Sequence, residues 1–273
     1  MEGELISVVM ATYNEPPEIV EASIRSILGQ TYQNFELLIY DDSSDKRTRE
    51  RIDSFLGDTR VRVIRHDIRS GFVRSLNMGL HDARGTYIAR MDGDDIALPE
   101  RFEKEVSFLR AHRDICVVGG QIEIIDENGR VTSSRSYPAG GIRLAVFSAI
   151  RNPLAHPAVM MRREVIDRGF VYDETLGMSE DLDLWLRLMS HSIKLANLPD
   201  IVLKYRVTDD FSSRRTSRRQ REYTAYVRRK NFDSRRLACS CLSLAVSFVL
   251  CIVPAEAIRR IYKRENGRDG ILK

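Results

Sequence analysis

Between Leu5 and Met91 short apolar runs alternate with amphipathic stretches, and this alternation restricts the fold more than any other feature of the chain. The runs are LISVVMA, FELLIY, VRVI and TYIARM; the stretches between them cover Ile19 to Leu28, Thr48 to Leu56 and Phe72 to Leu80. The runs are rich in Val, Ile and Leu without strict alternation of polar residues, the mark of strands covered on both faces. A β-α-β-α-β-α-β order built from such strands predicts a parallel sheet between helices.

In such sheets ligands bind beyond the carboxyl ends of the strands. The segments that follow the four runs are Thr12-Tyr13-Asn14-Glu15, Asp41-Asp42-Ser43-Ser44, His66-Asp67-Ile68-Arg69 and Asp92-Gly93-Asp94-Asp95, and all four are expected on one rim. Asp92-x-Asp94-Asp95 offers hard oxygen ligands that suit Mg²⁺ or Mn²⁺ and leave positions for phosphate oxygens. Alone, D-x-D is weak evidence and more often an Asp/Gly turn. Asp41-Asp42 adds a second acidic pair at a neighbouring strand end, and two such pairs repel unless a cation or hydrogen-bond donors sit between them.

Further along, Arg101 to Arg110 reads as a helix after Leu98-Pro99-Glu100. Ile115 to Ile125 and Val131 to Tyr137 read as a hairpin turning at Glu127-Asn128-Gly129. A strand is expected at Ala158 to Arg162 and a helix from about Glu180 to His191, opened by Ser179 as its cap. Strands are expected near Lys194 to Leu198 and Val202 to Val207, and a basic helix over Thr216 to Lys230.

The strings SVVMATYNEPPEIVEASIRSILGQTYQNFELLIYDDSSD, RSGFVRSLNMGL and GTYIARMDGDDIALPERF together resemble the inverting family-2 glycosyltransferases of the GT-A fold, the bacterial cell-surface polysaccharide type. The shared pattern is TYNE after the first strand, DDxS after the second, G-x(5)-N-x-G in the third loop and D-x-DD after the fourth, within a likeness running from about Leu5 to Arg206. It implies an α/β, GT-A-like catalytic domain with a mostly parallel central sheet flanked by helices over 1–210. Residues 1–98 form its nucleotide-sugar half and 99–210 its acceptor half, with a basic and apolar helical tail over 211–273.

By this resemblance Thr12, Tyr13 and Glu15 line the nucleoside pocket, and Asp42 recognises the base with Asp41 close by. Gly71 and Asn77 belong to the loop that closes over the nucleotide. Asp92, Gly93 and Asp94 form the D-x-D element, with Asp92 on the ribose and diphosphate side and Asp94, joined by Asp92, as metal ligand for Mn²⁺ or Mg²⁺. In GMSEDLDLWLRL, Asp181 matches the general base that inversion at an anomeric carbon requires. The implied activity is transfer from a nucleotide diphosphate sugar, UDP-sugars first, to a saccharide or lipid-linked acceptor. NPLAHPAVMMRREV also resembles the family; His156 there is read as facing the acceptor or as structural, and Trp185 and Leu186 as core. The histidine that follows Tyr-Arg in many members is absent here, where the chain reads Tyr205-Arg206-Val207-Thr208-Asp209, so Thr208, Asp209 or water would stand in.

Charge divides the chain. Residues 1–203 hold 25 Lys and Arg against 32 Asp and Glu, whereas 204–273 hold 18 against 7. Leu237 to Val253 is 17 residues without a charge, with basic residues on both sides. A span takes about 20 residues and would send one basic flank across the membrane. A helix lying in the interface keeps both flanks on the anionic cytoplasmic face, so an enzyme on the inner face of the cell membrane is expected. Ser240, Ser243 and Ser247 fall on one stripe of that helix. The alternative is an apolar helix packed on the catalytic domain or in a dimer interface.

Other classes fit less well. A sugar nucleotidyltransferase would carry a Gly-rich basic loop after its first strand. A nucleic-acid binder would interleave aromatics with the tail's basic residues; Tyr223, Tyr226 and Phe232 are a thin supply of these, and the apolar run beside them favours lipid. A membrane-tethered module that binds nucleotide sugar or polysaccharide without turnover stays as the alternative. The four cysteines have neither zinc-ligand nor disulfide-framework spacing. MEGELISVVM carries two glutamates where a secretory signal needs a basic segment, so export is not expected.

Overall fold

The computed structural model describes residues 3–208, 217–253 and 256–257. Four parallel strands form one half of the sheet: β1 (Ile6–Thr12), β2 (Phe35–Asp41), β3 (Val61–Ile64) and β4 (Tyr87–Asp92). They alternate with helices α1 (Pro17–Leu28), α2 (Lys46–Asp53) and α3 (Phe72–Asp82), as the sequence pattern predicts. The chain continues through the two-residue β5 (Ile96–Ala97), α4 (Arg101–Ala111), β6 (Ile115–Ile125), β7 (Val131–Arg135) and α5 (Gly141–Ile150). It then adds β8 (Met160–Arg162), α6 (Arg163–Asp167), α7 (Glu180–Ser190) and β9 (Lys194–Arg206). Two tail helices follow among the described residues, α8 (Arg218–Lys230) and α9 (Leu237–Ile252).

The sheet order is β3-β2-β1-β4-β8-β6-β9-β5, with β7 beside β6. Because β2 lies on one side of β1 and β4 on the other, the connections diverge at β1, where an open α/β sheet leaves a crevice. The register puts Thr12 beside Asp41 and Ala11 beside Asp92, so both acidic pairs flank the end of β1. Every residue of β1 is buried. Ile6, Val8 and Met10 share one core with Ile24 of α1, Ile52 of α2 and Phe102 of α4. Val9 and Ala11 share the other with Leu76 of α3 and Leu184, Trp185 and Leu188 of α7.

Three expectations change in detail. The strands expected on either side of Pro199 are one strand, β9, because β6 shifts register between Gly119 and Gln121 and so accommodates a residue that cannot donate to the ladder. A Cβ on Gly119 would stand 2.6 Å from Asn197 Oδ1, and one on Gly120 2.5 Å from Val202 Cγ2, so two side-chain-free positions permit this close pairing. Ser179 occupies the cap position of α7 but is left-handed (φ 61°), and its hydroxyl turns away to Thr224 and Gln220. The segment that becomes α5 carries no helix expectation, although its Leu144 and Ser148 are buried four residues apart. The start of the expected basic helix, Thr216, lies outside the described residues.

Candidate active site

The loops after β1 and β2 are tied together before any ligand is considered. Asn14, left-handed at φ 59°, accepts with Oδ1 from the backbone N–H groups of Ser44 and Asp45 at 2.7 and 2.8 Å. Asp41 is buried and fully engaged: Thr12 Oγ1 (3.1 Å) and the Ser43 N–H (2.9 Å) donate to one oxygen, Arg65 Nε (2.6 Å) to the other. Its charge is therefore compensated inside the wall, whereas Asp42 is aimed at the loop after β3. The Asp42 carboxylate accepts from the backbone N–H groups of Ser70 (3.0 Å) and Gly71 (2.7 Å). Gly71 has φ +84°, a conformation that favours glycine. The same loop lays the Arg69 guanidinium over the half-exposed Tyr13 ring at 3.6 Å. An aromatic face, a cation and a fixed carboxylate thus border the end of β1.

On the other side of β1 the charge is less balanced. Oxygens of Asp92, Asp94 and Asp95 lie within 4.8 Å of one another. Burial and the neighbouring Asp92 raise Asp94 to about 6. Glu15, whose Oε2 accepts from the Tyr13 N–H at 2.8 Å, is raised to about 7 by burial and by Asp94 and Asp92. Asp95 is raised well above the carboxylate range, and its Oδ2 is buried without a hydrogen-bond partner. Gly93 lets these groups approach: a Cβ there would lie 2.8 Å from Thr12 Cγ2 and 3.3 Å from Glu15 Oε1.

Two arginines answer part of this charge. Arg90, buried on β4, hydrogen-bonds Asp92 and stands 5.4 Å from the Phe72 ring centre, while its Nε and Nη1 have no partner. Arg206, at the end of β9, donates its N–H to Asp95 (2.7 Å) and its Nε to the Asp94 carbonyl (2.8 Å). Its Nη1 reaches the carbonyls of Asp126 and Glu127 at 2.9 Å, pinning the β6–β7 turn against the acidic loop. Four clustered carboxyl groups still exceed two guanidiniums. Hard oxygen donors carrying excess negative charge fit a divalent cation.

Asp181 lies at the first turn of α7, accepting from the Leu182 N–H at 2.7 Å and from the Asn152 amide. The phenol of buried Tyr172 is pushed up by burial, and the charges of Arg90, Asp181, Glu180 and Asp92 all act on it. His156 hydrogen-bonds the Tyr172 hydroxyl at 2.7 Å and packs edge-on against Phe72 and Trp185. Contacts run from Asp42 through Gly71-Phe72 to Arg90 and Asp92, and from Phe72 through His156 to Tyr172. His156 and Trp185 are buried wall. Asn77 pins the segment after α6 to α3, bonding the Tyr172 backbone in both directions at 2.9 Å and Glu174 at 3.0 Å.

Sequence reasoning did not assign roles to Arg90 or Asn152. Arg90 had a signal, since a lone charge in TYIARM two residues before Asp92 shares its face of the strand. Asn152 meets Asp181 only through tertiary packing. Of the groups named to replace the absent histidine, Asp209 lies outside the described residues.

Residues 7–170 match the profile of Glycosyl transferase family 2. The chain is 32% identical over 250 residues to the O-antigen biosynthesis glycosyltransferase WbnJ of Escherichia coli, covering 88% of this chain and 94% of that one. It is 29% identical over 221 residues to the UDP-Glc:alpha-D-GlcNAc-diphosphoundecaprenol beta-1,3-glucosyltransferase WfgD of the same species, covering 76% and 79%. Among solved structures, S. aureus TarS 1-349 in complex with UDP-GlcNAc superposes with a TM-score of 0.70 over 95% of this chain and 75% of that one, at 18% identity. The fold expectation is met.

Proposed function

The chain belongs to glycosyltransferase family 2, and from that premise we propose that it moves a sugar from a UDP-sugar, with inversion, to a hydroxyl of a saccharide or lipid-linked acceptor in polysaccharide or glycolipid synthesis. The observation that carries this reading is the cluster of Asp92, Asp94 and Asp95, brought against Glu15 and Thr12 by Gly93 and set across β1 from Asp41 and Asp42. The activity stated in the name of WfgD, with UDP-Glc as donor and a diphosphoundecaprenol-linked acceptor, supports the donor and acceptor classes.

In this reading Asp42 accepts from a base N–H with lone pairs left free by Ser70 and Gly71, and the Tyr13 ring, backed by Arg69, covers the nucleoside. Gly93 keeps the β4 loop close enough for Thr12 and Glu15 to line the same pocket. Asp94 and Asp92 would hold Mn²⁺ or Mg²⁺, which when bound neutralises the charge of the departing diphosphate. Arg90 hydrogen-bonds the Asp92 side chain and so fixes its place in the cluster. Asp181, oriented by Asn152 and the Leu182 N–H, takes the proton from the acceptor hydroxyl as the new bond forms on the face opposite the leaving UDP.

A panel of nucleotide sugars with Mn²⁺, read out as released nucleotide and glycosylated acceptor, tests the proposal. UDP release that needs both acceptor and cation is expected. Nucleotide binding with no transfer across donors and acceptors would leave a non-catalytic binder. Asp94→Ala is expected to weaken cation-dependent UDP binding, and unchanged binding would remove Asp94 from the metal site.

A further inference from the structure

Helix α9 is polar on the side that faces the protein and apolar on the side that faces away. Its buried residues are Ser240, Ser243 and Ser247, while Phe248, Val249 and Ile252 are 68%, 55% and 64% exposed. A helix completing a water-soluble core has the opposite polarity. Beside it α5 exposes a second apolar stripe, Ile142, Val146 and Ile150, at four-residue spacing.

Specific bonds hold the serine side inward. Arg228 of α8, buried and with its pKa lowered to about 10 by desolvation, donates to Ser243 Oγ at 2.7 Å and to the Ala149 carbonyl of α5. The Asp233 N–H donates to Ser240 Oγ at 3.1 Å, and that hydroxyl donates back to the Asp233 carbonyl at 3.0 Å. Arg221 of α8 donates to the carbonyls of Leu250 and Val253, both at 2.7 Å, taking up acceptors that the helix end leaves open.

We propose that the outward face of α9 and α5 docks on the headgroup and acyl boundary of an anionic bilayer, with α9 lying along that boundary rather than crossing it. The stretch Ser234–Ile252 is apolar enough to cross, with a mean hydropathy of 1.7 and only 11% buried. Crossing, however, would break the Arg228 and Arg221 bonds and carry three serines into hydrocarbon. The 16 residues of α9 are also about 24 Å long, short of the roughly 30 Å hydrocarbon core.

Charge selects the occupant. Exposed Arg235 and Arg236 directly precede α9, and the last 70 residues carry 18 Lys and Arg against 7 Asp and Glu. A second copy docking through the same face would set these basic borders against each other, whereas anionic lipid attracts them. The face also meets the site: Ile150 ends α5, and Asn152, two residues on, holds Asp181. The docking face rests on its own observations and does not depend on the transfer reaction.

Flotation of the full chain with vesicles of phosphatidylethanolamine and phosphatidylglycerol tests the inference. Binding is expected, weakened at least about tenfold by Phe248→Glu or Ile252→Glu and weakened again when phosphatidylglycerol is replaced by phosphatidylcholine. UDP binding by the same variants serves as the fold control. Flotation unaffected by the substitutions, or absent from the native chain, overturns the proposal. So does a native dimer that the substitutions convert to monomers without changing vesicle binding. In sealed vesicles a carboxy-terminal tag is expected to be cleaved by protease added outside; protection of the tag would show a span and overturn the flat arrangement.

Discussion

Asp181→Asn separates the role of the carboxylate from its place in the wall. Each oxygen of Asp181 accepts one hydrogen bond, Oδ2 from the Asn152 amide and Oδ1 from the Leu182 N–H. An amide at this position can accept only one of them and turns its own N–H₂ toward the other donor. An unsatisfied donor in a site that is 7% exposed costs about 1–3 kcal/mol. A domain of ordinary stability survives that loss, with a Tm lower by several degrees. The effect on transfer is larger, because removing a general base costs about 10²–10⁴ in rate, roughly 3–5 kcal/mol on the barrier. UDP affinity is expected to stay within about twofold, since the carboxylate makes no bond to Asp42, Asp92 or Asp94. Measuring kcat by acceptor-dependent UDP release alongside UDP binding by calorimetry reads both quantities. Asn152→Ala, which keeps the carboxylate and removes one donor, is expected to cost only about tenfold in kcat. If Asp181→Asn retained kcat within tenfold of the native enzyme while folding normally, the base assignment would be wrong.

Gly93→Ala forces a methyl to within 2.8 Å of Thr12 Cγ2, and about 1–3 kcal/mol of stability or a displaced acidic loop is expected; a native UDP affinity and Tm together would count against the close approach. Arg90→Met removes the hydrogen bond that positions the Asp92 carboxylate, so a higher cation concentration is expected for half-maximal UDP binding, and an unchanged titration would deny Arg90 that positioning role. Asp58 is held at about 2 mainly by its side-chain hydrogen bond from Arg60, so its contribution is present above its unfolded value near 4 and disappears as pH falls through 2. Screening at this partly exposed pair limits that contribution to about 1 kcal/mol. In urea unfolding, Asp58→Asn is expected to be less stable than native by a constant amount above about pH 5, with the gap closing below pH 4; a gap that widens in acid would reverse the sign.

The first four strands of this fold are readable because their signals are local. Continuous apolar runs specify buried strands, and once the strands are parallel their ends must share a rim, which brings Thr12, Asp42 and Asp92 together before any tertiary contact is known. The part of the chain after β4 depends on pairs remote in sequence. Whether Pro199 ends a strand is decided by Gly119 and Gly120, whose missing side chains let β6 shift register beneath it, and neither lies near Pro199 in the chain. The orientation of Asp181 is decided by Asn152 across 29 residues, and that of Tyr172 by Asn77 across 95.

The tail shows the same division. Its serine spacing is legible as a stripe, but the side on which the stripe lies is not, because a stripe of three hydroxyls in an apolar helix is compatible with facing water, a partner or its own domain. Arg228 decides it. A buried guanidinium with no carboxylate partner among the described residues needs acceptors, and the Ala149 carbonyl with the Ser243 hydroxyl supplies them only when the serine side of α9 is turned inward. The apolar side must then face outward, and the polarity of the whole surface beside Asp181 follows from where one arginine finds its hydrogen bonds.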